Sequence, residues 1–174
     1  HLPFQSGSSR VLKAMNRHYD REKYLAAVAY AKSVMPDLVL TSDVIVGFPG
    51  ETAQEFEETM TLISQVGYDA LFTFIFSPRA GTPAASMEDP TPKEEKSARF
   101  DRLCALQNQI SETIHRGYVG KTLEVLIDGT EGQLLTARTE GGRLVRFSGC
   151  ESLIGTYQNI LIQSATTWSL AGEL

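Results

Sequence analysis

The chain has 174 residues, with 16 Lys+Arg against 21 Asp+Glu, a formal net charge of −5 and 42% hydrophobic residues, a profile that excludes disordered and collagen-like classes. No apolar run approaches the roughly 20 residues needed to cross a bilayer, which excludes a transmembrane segment. The acidity argues against indiscriminate phosphate binding, because neutralising phosphates takes concentrated Lys and Arg.

In chain order, His1–Gln5 reads as the end of a strand, and Ser6-Gly7-Ser8-Ser9 supplies a turn and helix cap before Val11, Leu12 and Met15 at helical spacing. Arg10, Lys13 and Arg17 share the opposite face. Asp20 caps a second helix carrying Tyr24, Ala27, Val28, Ala31 and Met35, and Pro36 ends it. Leu38–Val46 is almost continuously apolar and β-branched, the pattern of a strand buried on both faces of a parallel sheet. Gly47-Phe48-Pro49-Gly50 breaks the strand, and Thr52-Ala53-Gln54-Glu55 is a capping box opening a helix with Phe56, Met60, Ile63 and Val66 on one stripe. Gly67 stops that helix, Tyr68–Phe76 is another strand, and Ser77–Pro83 is a loop of turn residues. This alternation predicts a parallel sheet with right-handed crossovers and with its functional loops at the carboxyl ends of the strands.

Thr91-Pro92-Lys93-Glu94 opens a long helix with Leu103, Leu106, Ile110 and Ile114 on one face, whose length suggests a connector. Beyond Gly117 and Gly120 the pattern changes to short β-rich stretches, Thr122–Ile127, Leu134–Thr139, Leu144–Phe147 and Thr156–Ala165, which predict a small all-β barrel. Two domains are therefore expected, residues 1–116 and residues 117–174. Cys104 and Cys150 are too few for a disulfide framework and too far apart for a Cys-x-x-Cys site, which fits a reducing, cytoplasmic setting. The chain opens at His1 without a basic or apolar leader, so it is read as beginning within a longer protein.

Three strand ends carry polar groups that converge at one mouth: Gln5 and Ser6, then Asp43 through Glu51, then Ser77 and Arg79. Gly47 and Gly50 allow close backbone approach of a ligand, and the helix start at Thr52 offers unpaired N–H groups to an anionic moiety.

Specific motifs add to this pattern. His1-Leu2-Pro3-Phe4-Gln5-Ser6-Gly7-Ser8, Leu12-Lys13-Ala14-Met15-Asn16-Arg17, Thr41-Ser42-Asp43-Val44-Ile45-Val46-Gly47-Phe48-Pro49-Gly50-Glu51-Thr52 and Phe72-Thr73-Phe74-Ile75-Phe76-Ser77-Pro78-Arg79-Ala80-Gly81-Thr82-Pro83-Ala84 together resemble the radical-SAM methylthiotransferases, most closely those acting on adenosine in tRNA. Leu144–Gly149, Leu153-Ile154-Gly155 and Ser169–Glu173 resemble their terminal TRAM domain. The resemblance implies an α/β fold: the carboxyl-terminal half of a radical-SAM partial TIM-like barrel, followed by a small all-β, OB-like TRAM barrel. It also implies S-adenosylmethionine as cofactor, two [4Fe-4S] clusters in the full-length protein, and a tRNA anticodon stem-loop as partner.

In that chemistry one cluster reductively cleaves S-adenosylmethionine, the resulting radical takes hydrogen from an adenine ring carbon, and the second cluster supplies sulfur. A second S-adenosylmethionine methylates it. The substrate implied is isopentenyladenosine beside the anticodon; the alternatives are threonylcarbamoyladenosine in tRNA, or an RNA-binding module without radical activity. The electron and sulfur donors are left unidentified. The Cys-x-x-x-Cys-x-x-Cys ligand motif is absent from these residues, so no metal ligand or catalytic residue is assigned here and the chain is expected to be inactive alone.

Residue by residue, the resemblance assigns cofactor contacts to Gln5, Ser6, Arg17, Asp43, Val46, Gly47 and Phe74. An amide and a carboxylate accept from ribose hydroxyls, while a guanidinium grips a carboxylate with two parallel bonds. Arg79, at the barrel mouth, and Arg138, Arg143, Arg146 and Phe147, in the TRAM-like segment, are the expected RNA contacts, combining cations with a ring that stacks bases. From Arg116 to Leu174 there are five basic and six acidic residues, so the electrostatic attraction is local. His18, His115, Cys104 and Cys150 are read as structural, and Trp168 as an anchor of the last strand. A half barrel leaves an unpaired edge at its first strand, through which the chain is expected to self-associate.

Overall fold

The computed structural model describes residues 1–174 and divides into two compact units, His1–Ile110 and Ser111–Leu174. In the first unit the helices are α1 (Ser9–Ala14), α2 (Arg21–Val34) and α3 (Ala53–Val66), and the strands are β1 (Thr41–Val46) and β2 (Ala70–Ile75). β1 and β2 pair in parallel, from Thr41 opposite Ala70 to Val46 opposite Ile75. On the other side of β1 the expected first strand is reduced to a single bridge between Gln5 and Val44. Pro3 has no N–H to donate, and Gln5 has a φ of 65°, which swings the chain out of the sheet directly after the bridge.

β1 is buried on one face, not both. Ser42, Val44 and Val46 face the helices, whereas Thr41, Asp43 and Ile45 remain partly open on the other side. Across from them on β2, Phe72 and Phe74 are exposed. The helix-side core includes Phe4, Val28, Val44, Val46, Phe56, Ile63, Tyr68 and Leu103. Tyr68 stacks on Phe4 at 5.4 Å between ring centroids, and its buried hydroxyl donates to the Tyr24 hydroxyl at 2.9 Å. Tyr24 donates in turn to the Leu2 carbonyl at 2.8 Å, so both phenols enter the core with partners. Burial and this chain of bonds hold the Tyr68 phenol well above its ordinary pKa.

Local sequence fixes the element ends. Thr52 and Glu55 form the reciprocal capping box at the start of α3, and Gly67 ends it in the left-handed region. α1 starts at the Ser8 cap and stops after six residues, because Asn16 takes a φ of 59° and turns the chain. Gly7 precedes α1 where a Cβ would lie 2.5 Å from the Thr59 backbone, so only glycine allows this turn to rest on α3.

α4 (Lys93–Arg116) is one continuous helix of 24 residues. The division between the units falls within it, after Ile110. Glu94 and Glu95 in its first turn and His115 and Arg116 in its last complement the helix dipole.

In the second unit, β3 (Thr122–Glu131), β4 (Leu134–Thr139), β5 (Leu144–Phe147), β6 (Tyr157–Ala165) and β7 (Leu170–Glu173) close into a barrel in the order β3-β4-β5-β7-β6. All pairs are antiparallel except β5 with β7. Its interior is the apolar set Val125, Ile127, Leu135, Ala137, Val145, Phe147, Ile160, Ile162 and Leu170. Closure leaves no free edge, and irregularities at Ile127/Gly129 and Ile162/Ser164 supply the bending that closure needs.

Candidate functional site

The open face of the β1–β2 sheet carries a cavity of about 520 Å³, lined by Gln5, Arg17, Asp43, Ile45, Phe74, Phe76, Ser77 and Arg79 among others. Five of the residues to which the resemblance assigns a contact therefore line one cavity: Gln5, Arg17, Asp43, Phe74 and Arg79. Gln5 is 5% exposed, and its backbone joins β1 through Asp43 and Ile45, yet its side-chain amide has no hydrogen bond within the protein. Asp43 sits in β1 with one carboxylate oxygen 3.4 Å from the His1 imidazole. Phe74, opposite Ile45 in the β ladder, presents an exposed ring.

Arg17 does not share a helix face with Arg10 and Lys13. α1 ends at Ala14, and the Asn16 turn directs Arg17 into the cavity with no carboxylate partner. Arg10 instead lies on another surface, where its guanidinium binds both Glu55 oxygens and the Gly50 carbonyl. Arg79 is held in an exposed loop whose turn is fixed by the Thr82 hydroxyl donating to the Arg79 carbonyl at 2.8 Å.

Three other expected contacts lie elsewhere. Val46 points into the helix-side core, and its carbonyl accepts from Phe76 N–H, because strand alternation turns Ile45 rather than Val46 toward the cavity. Ser6 is fully buried, its hydroxyl accepting from the Ser8 N–H at 3.2 Å within the turn. Gly47 takes a φ of 72°, and a Cβ there would lie 2.7 Å from the Lys96 side chain, so the glycine accommodates α4. Its N–H donates to Glu51 at 2.8 Å.

That glutamate is the centre of a network that sequence reading passed over. Glu51 is 2% exposed and meets Arg99 of α4, which donates to its carboxylate at 3.3 Å and to its carbonyl at 3.0 Å. Arg99 also pairs with Glu95 and lies over the Phe56 ring. Burial pushes the Glu51 carboxyl up, against the opposing pull of the Gly47 N–H and Arg99. Four residues on, Glu55 is held at a pKa of about 2, chiefly by its bond to Arg10 and further by the Thr52 N–H and hydroxyl. The two glutamates thus pin the loop after β1, one from each side.

In the barrel, Arg138 and Arg146 are on the outer face, each held by a carboxylate: Arg138 by Asp128 at 3.1 Å and Arg146 by Glu131 at 2.6 Å. Those bonds contribute to holding Asp128 and Glu131 below their usual range, with the Thr136 hydroxyl the larger cause at Asp128. The other two expected RNA contacts are inside. Arg143 is buried with its guanidinium 4.6 Å from the Tyr118 ring, and Phe147 is 2% exposed in the barrel core, in step with Val145. The rings that do face solvent are Tyr157 and Trp168, so Trp168 is not an anchor. Tyr157 opens β6 on the outer parity of the strand, a position that the register reveals and composition does not.

The radical SAM superfamily profile matches residues 1–63, and the TRAM domain profile matches residues 116–174. Proteins named tRNA-2-methylthio-N(6)-dimethylallyladenosine synthase are similar along the whole chain. That of Clostridium botulinum strain Langeland is 50% identical over 99% of this chain and 39% of its own length, and that of Bacillus subtilis is 49% identical over 100% of this chain and 35% of its own length. The Acetivibrio thermocellus protein of the same name is 48% identical over 100% of this chain and 37% of its own. The chain thus carries a radical SAM part and a TRAM domain, and it is similar along its whole length to these synthases. It spans between a third and two fifths of the length of these curated relatives. Within it, no three His, Cys, Asp or Glu side chains are grouped to hold a metal ion, and no helix is long and apolar enough to cross a membrane.

Proposed function

We propose that the chain is part of an enzyme that adds a methylthio group to isopentenyladenosine beside the tRNA anticodon, with residues 1–116 completing a radical-SAM barrel and residues 117–174 binding RNA. The observation carrying this reading is the single cavity that gathers Gln5, Arg17, Asp43 and Phe74. Its volume is that of an ordinary small-molecule site. Its donor set suits S-adenosylmethionine: an uncommitted amide and a carboxylate for ribose hydroxyls, a guanidinium for the amino-acid carboxylate, and an aromatic ring for adenine. Held by Gln5, Arg17, Asp43 and Phe74, S-adenosylmethionine would supply, on one-electron reduction, a carbon-centred radical able to abstract hydrogen from an unactivated ring.

The chain's own residues bind and orient. Gln5 and Asp43 fix the ribose from adjacent strand positions, Arg17 fixes the carboxylate end, and Ile45 and Phe74 exclude water from the adenosine. Arg79 stands at the rim, where a phosphate of the incoming RNA meets it. Glu51 and Arg99 hold the loop after β1 so that the strand end keeps its shape.

The test is anaerobic expression of the gene product containing this chain, reconstitution with iron and sulfide, incubation with tRNA, and mass spectrometry of its nucleosides. A methylthio increment on isopentenyladenosine, abolished by Gln5→Ala or Arg17→Ala, is expected. An increment on threonylcarbamoyladenosine overturns the substrate, and tRNA binding without a cluster or cofactor cleavage overturns the enzymatic reading in favour of an RNA-binding module.

A further inference from the structure

The outer face of the barrel holds a row of side chains fixed by register. Leu126 of β3 lies opposite Arg138 of β4 on one side and opposite Tyr157 of β6 on the other, and Arg138 lies in turn opposite Leu144 of β5. Leu126 and Leu144 are half-buried and form an apolar floor. Tyr157 stands on it 64% exposed. Its position is fixed by the turn ahead of it: Gly155, with a φ of 85°, donates to the Ile127 carbonyl, and the Thr156 carbonyl accepts from the Ile127 N–H at 3.0 Å. Arg138 is oriented by Asp128 and leans toward the Gly142 carbonyl at 3.5 Å.

From this juxtaposition we propose that Tyr157, Leu126 and Arg138 form a stacking platform for an unpaired nucleotide of RNA, an inference that rests on the RNA-binding reading of the barrel. Strand spacing puts the backbone positions of Tyr157 and Arg138, on either side of β3, roughly 10 Å apart, so a base on the ring has its flanking phosphate within reach of the long Arg138 side chain. The charge pattern selects single strands over duplex. Of the two outward arginines of the barrel strands, each beside a carboxylate, only Arg138 lies in this row, and one cation is enough for a single phosphate but too few to track a double-stranded backbone. A ring over an apolar floor takes any splayed base, and stacking of this kind is worth about 1–3 kcal/mol per base. The stacking part of the affinity does not release counterions, so the salt slope reports the phosphate contacts alone.

The test measures affinity of the chain for a labelled single-stranded oligonucleotide and for the same sequence annealed as a duplex, by fluorescence anisotropy across a salt series. The single strand is expected to bind more tightly. Tyr157→Ala is expected to weaken it about tenfold with no change of salt slope, Tyr157→Phe to retain binding, and Arg138→Gln to flatten the slope by about one phosphate contact. Trp168 is the only tryptophan, so its fluorescence reports separately on the turn after β6 and is expected to stay unquenched. Unchanged affinity in a folded Tyr157→Ala protein overturns the platform while RNA binding stands. Quenching of Trp168 with loss of affinity in Trp168→Ala moves the stacking site to that turn. No affinity for either RNA overturns the RNA-binding reading itself.

Discussion

The two units solve the same problem, burying a sheet, in opposite ways. The barrel closes on itself, pairs every strand on both sides and fills with apolar side chains. The first unit covers one face of its sheet with helices and leaves the other to the cavity and to exposed Phe72 and Phe74. Its periphery relies on buried charge, in Glu51 and Arg99, where the barrel interior relies on shape. The difference bears on the proposed function: the closed unit has only its outer surface to offer a partner, whereas the open unit has an unfilled sheet face with a cavity.

The sharpest way to break this contrast is one truncation in each unit. Phe147→Ala removes a large apolar side chain from a closed core and is expected to cost about 3–5 kcal/mol. Arg99→Ala strands the Glu51 carboxylate in the protein interior and is expected to cost a similar amount, about 3–5 kcal/mol. Denaturant titration distinguishes the causes. The combination Glu51→Gln with Arg99→Met removes both charges and is expected to recover most of the Arg99 loss, while no substitution of charge rescues Phe147→Ala.

The bare face gives the next largest effect. A sheet face that exposes Phe72 and Phe74 beside a strand edge is a template for association, so sedimentation is expected to show oligomers of the isolated chain. Phe74→Ser is expected to shift them toward monomer. A monodisperse monomer that unfolds cooperatively would contradict the picture of an incomplete barrel.

How far the sequence disclosed all this varies with the type of signal. The capping box of α3, its Gly67 stop and the alternation of strand and helix were legible because each is a local chemical pattern. The cavity was legible in outline because strand ends on a parallel sheet converge. Parity was not: Leu38–Val46 is apolar on both sides, so nothing local says that Ile45 rather than Val46 lines the cavity, or that Phe147 turns inward while Tyr157 turns out. Long-range pairing was hidden as well. Only the fold brings Arg99 to Glu51, and only Asn16 in the left-handed region separates Arg17 from Arg10 and Lys13. Asp128 beside Arg138 depends on a strand irregularity that no spacing rule announces.

The two glutamates of the loop after β1 give a smaller effect with a definite sign. Glu55, held at about 2 when folded, titrates in the usual carboxylate range when unfolded, so the unfolded chain takes up the proton first as pH falls. Its contribution is complete above the unfolded pKa and disappears as pH drops toward about 2. Glu51 is shifted up, so the folded state holds its proton more tightly, and its contribution grows as pH falls. Glu55→Gln is therefore expected to flatten the acid-side loss of stability seen in thermal melts, whereas Glu51→Gln is expected to steepen it.

The smallest effect on stability is expected at Arg17, to which the proposed function assigns the carboxylate of the cofactor. Arg17 is exposed, makes no ion pair and lies outside α1, so Arg17→Ala should change unfolding free energy by no more than about 0.5 kcal/mol. Loss of a bidentate grip on a carboxylate should nonetheless weaken S-adenosylmethionine binding in the reconstituted full-length protein by tenfold or more, since a hydrogen bond to a charged group contributes about 1.5–3 kcal/mol. Calorimetry of binding set beside thermal melts separates the two readouts. If Arg17→Ala lowers stability and leaves binding intact, Arg17 serves the turn around Asn16 instead, and the carboxylate must be met by another cation at the rim, for which Arg79 is the one placed to reach it.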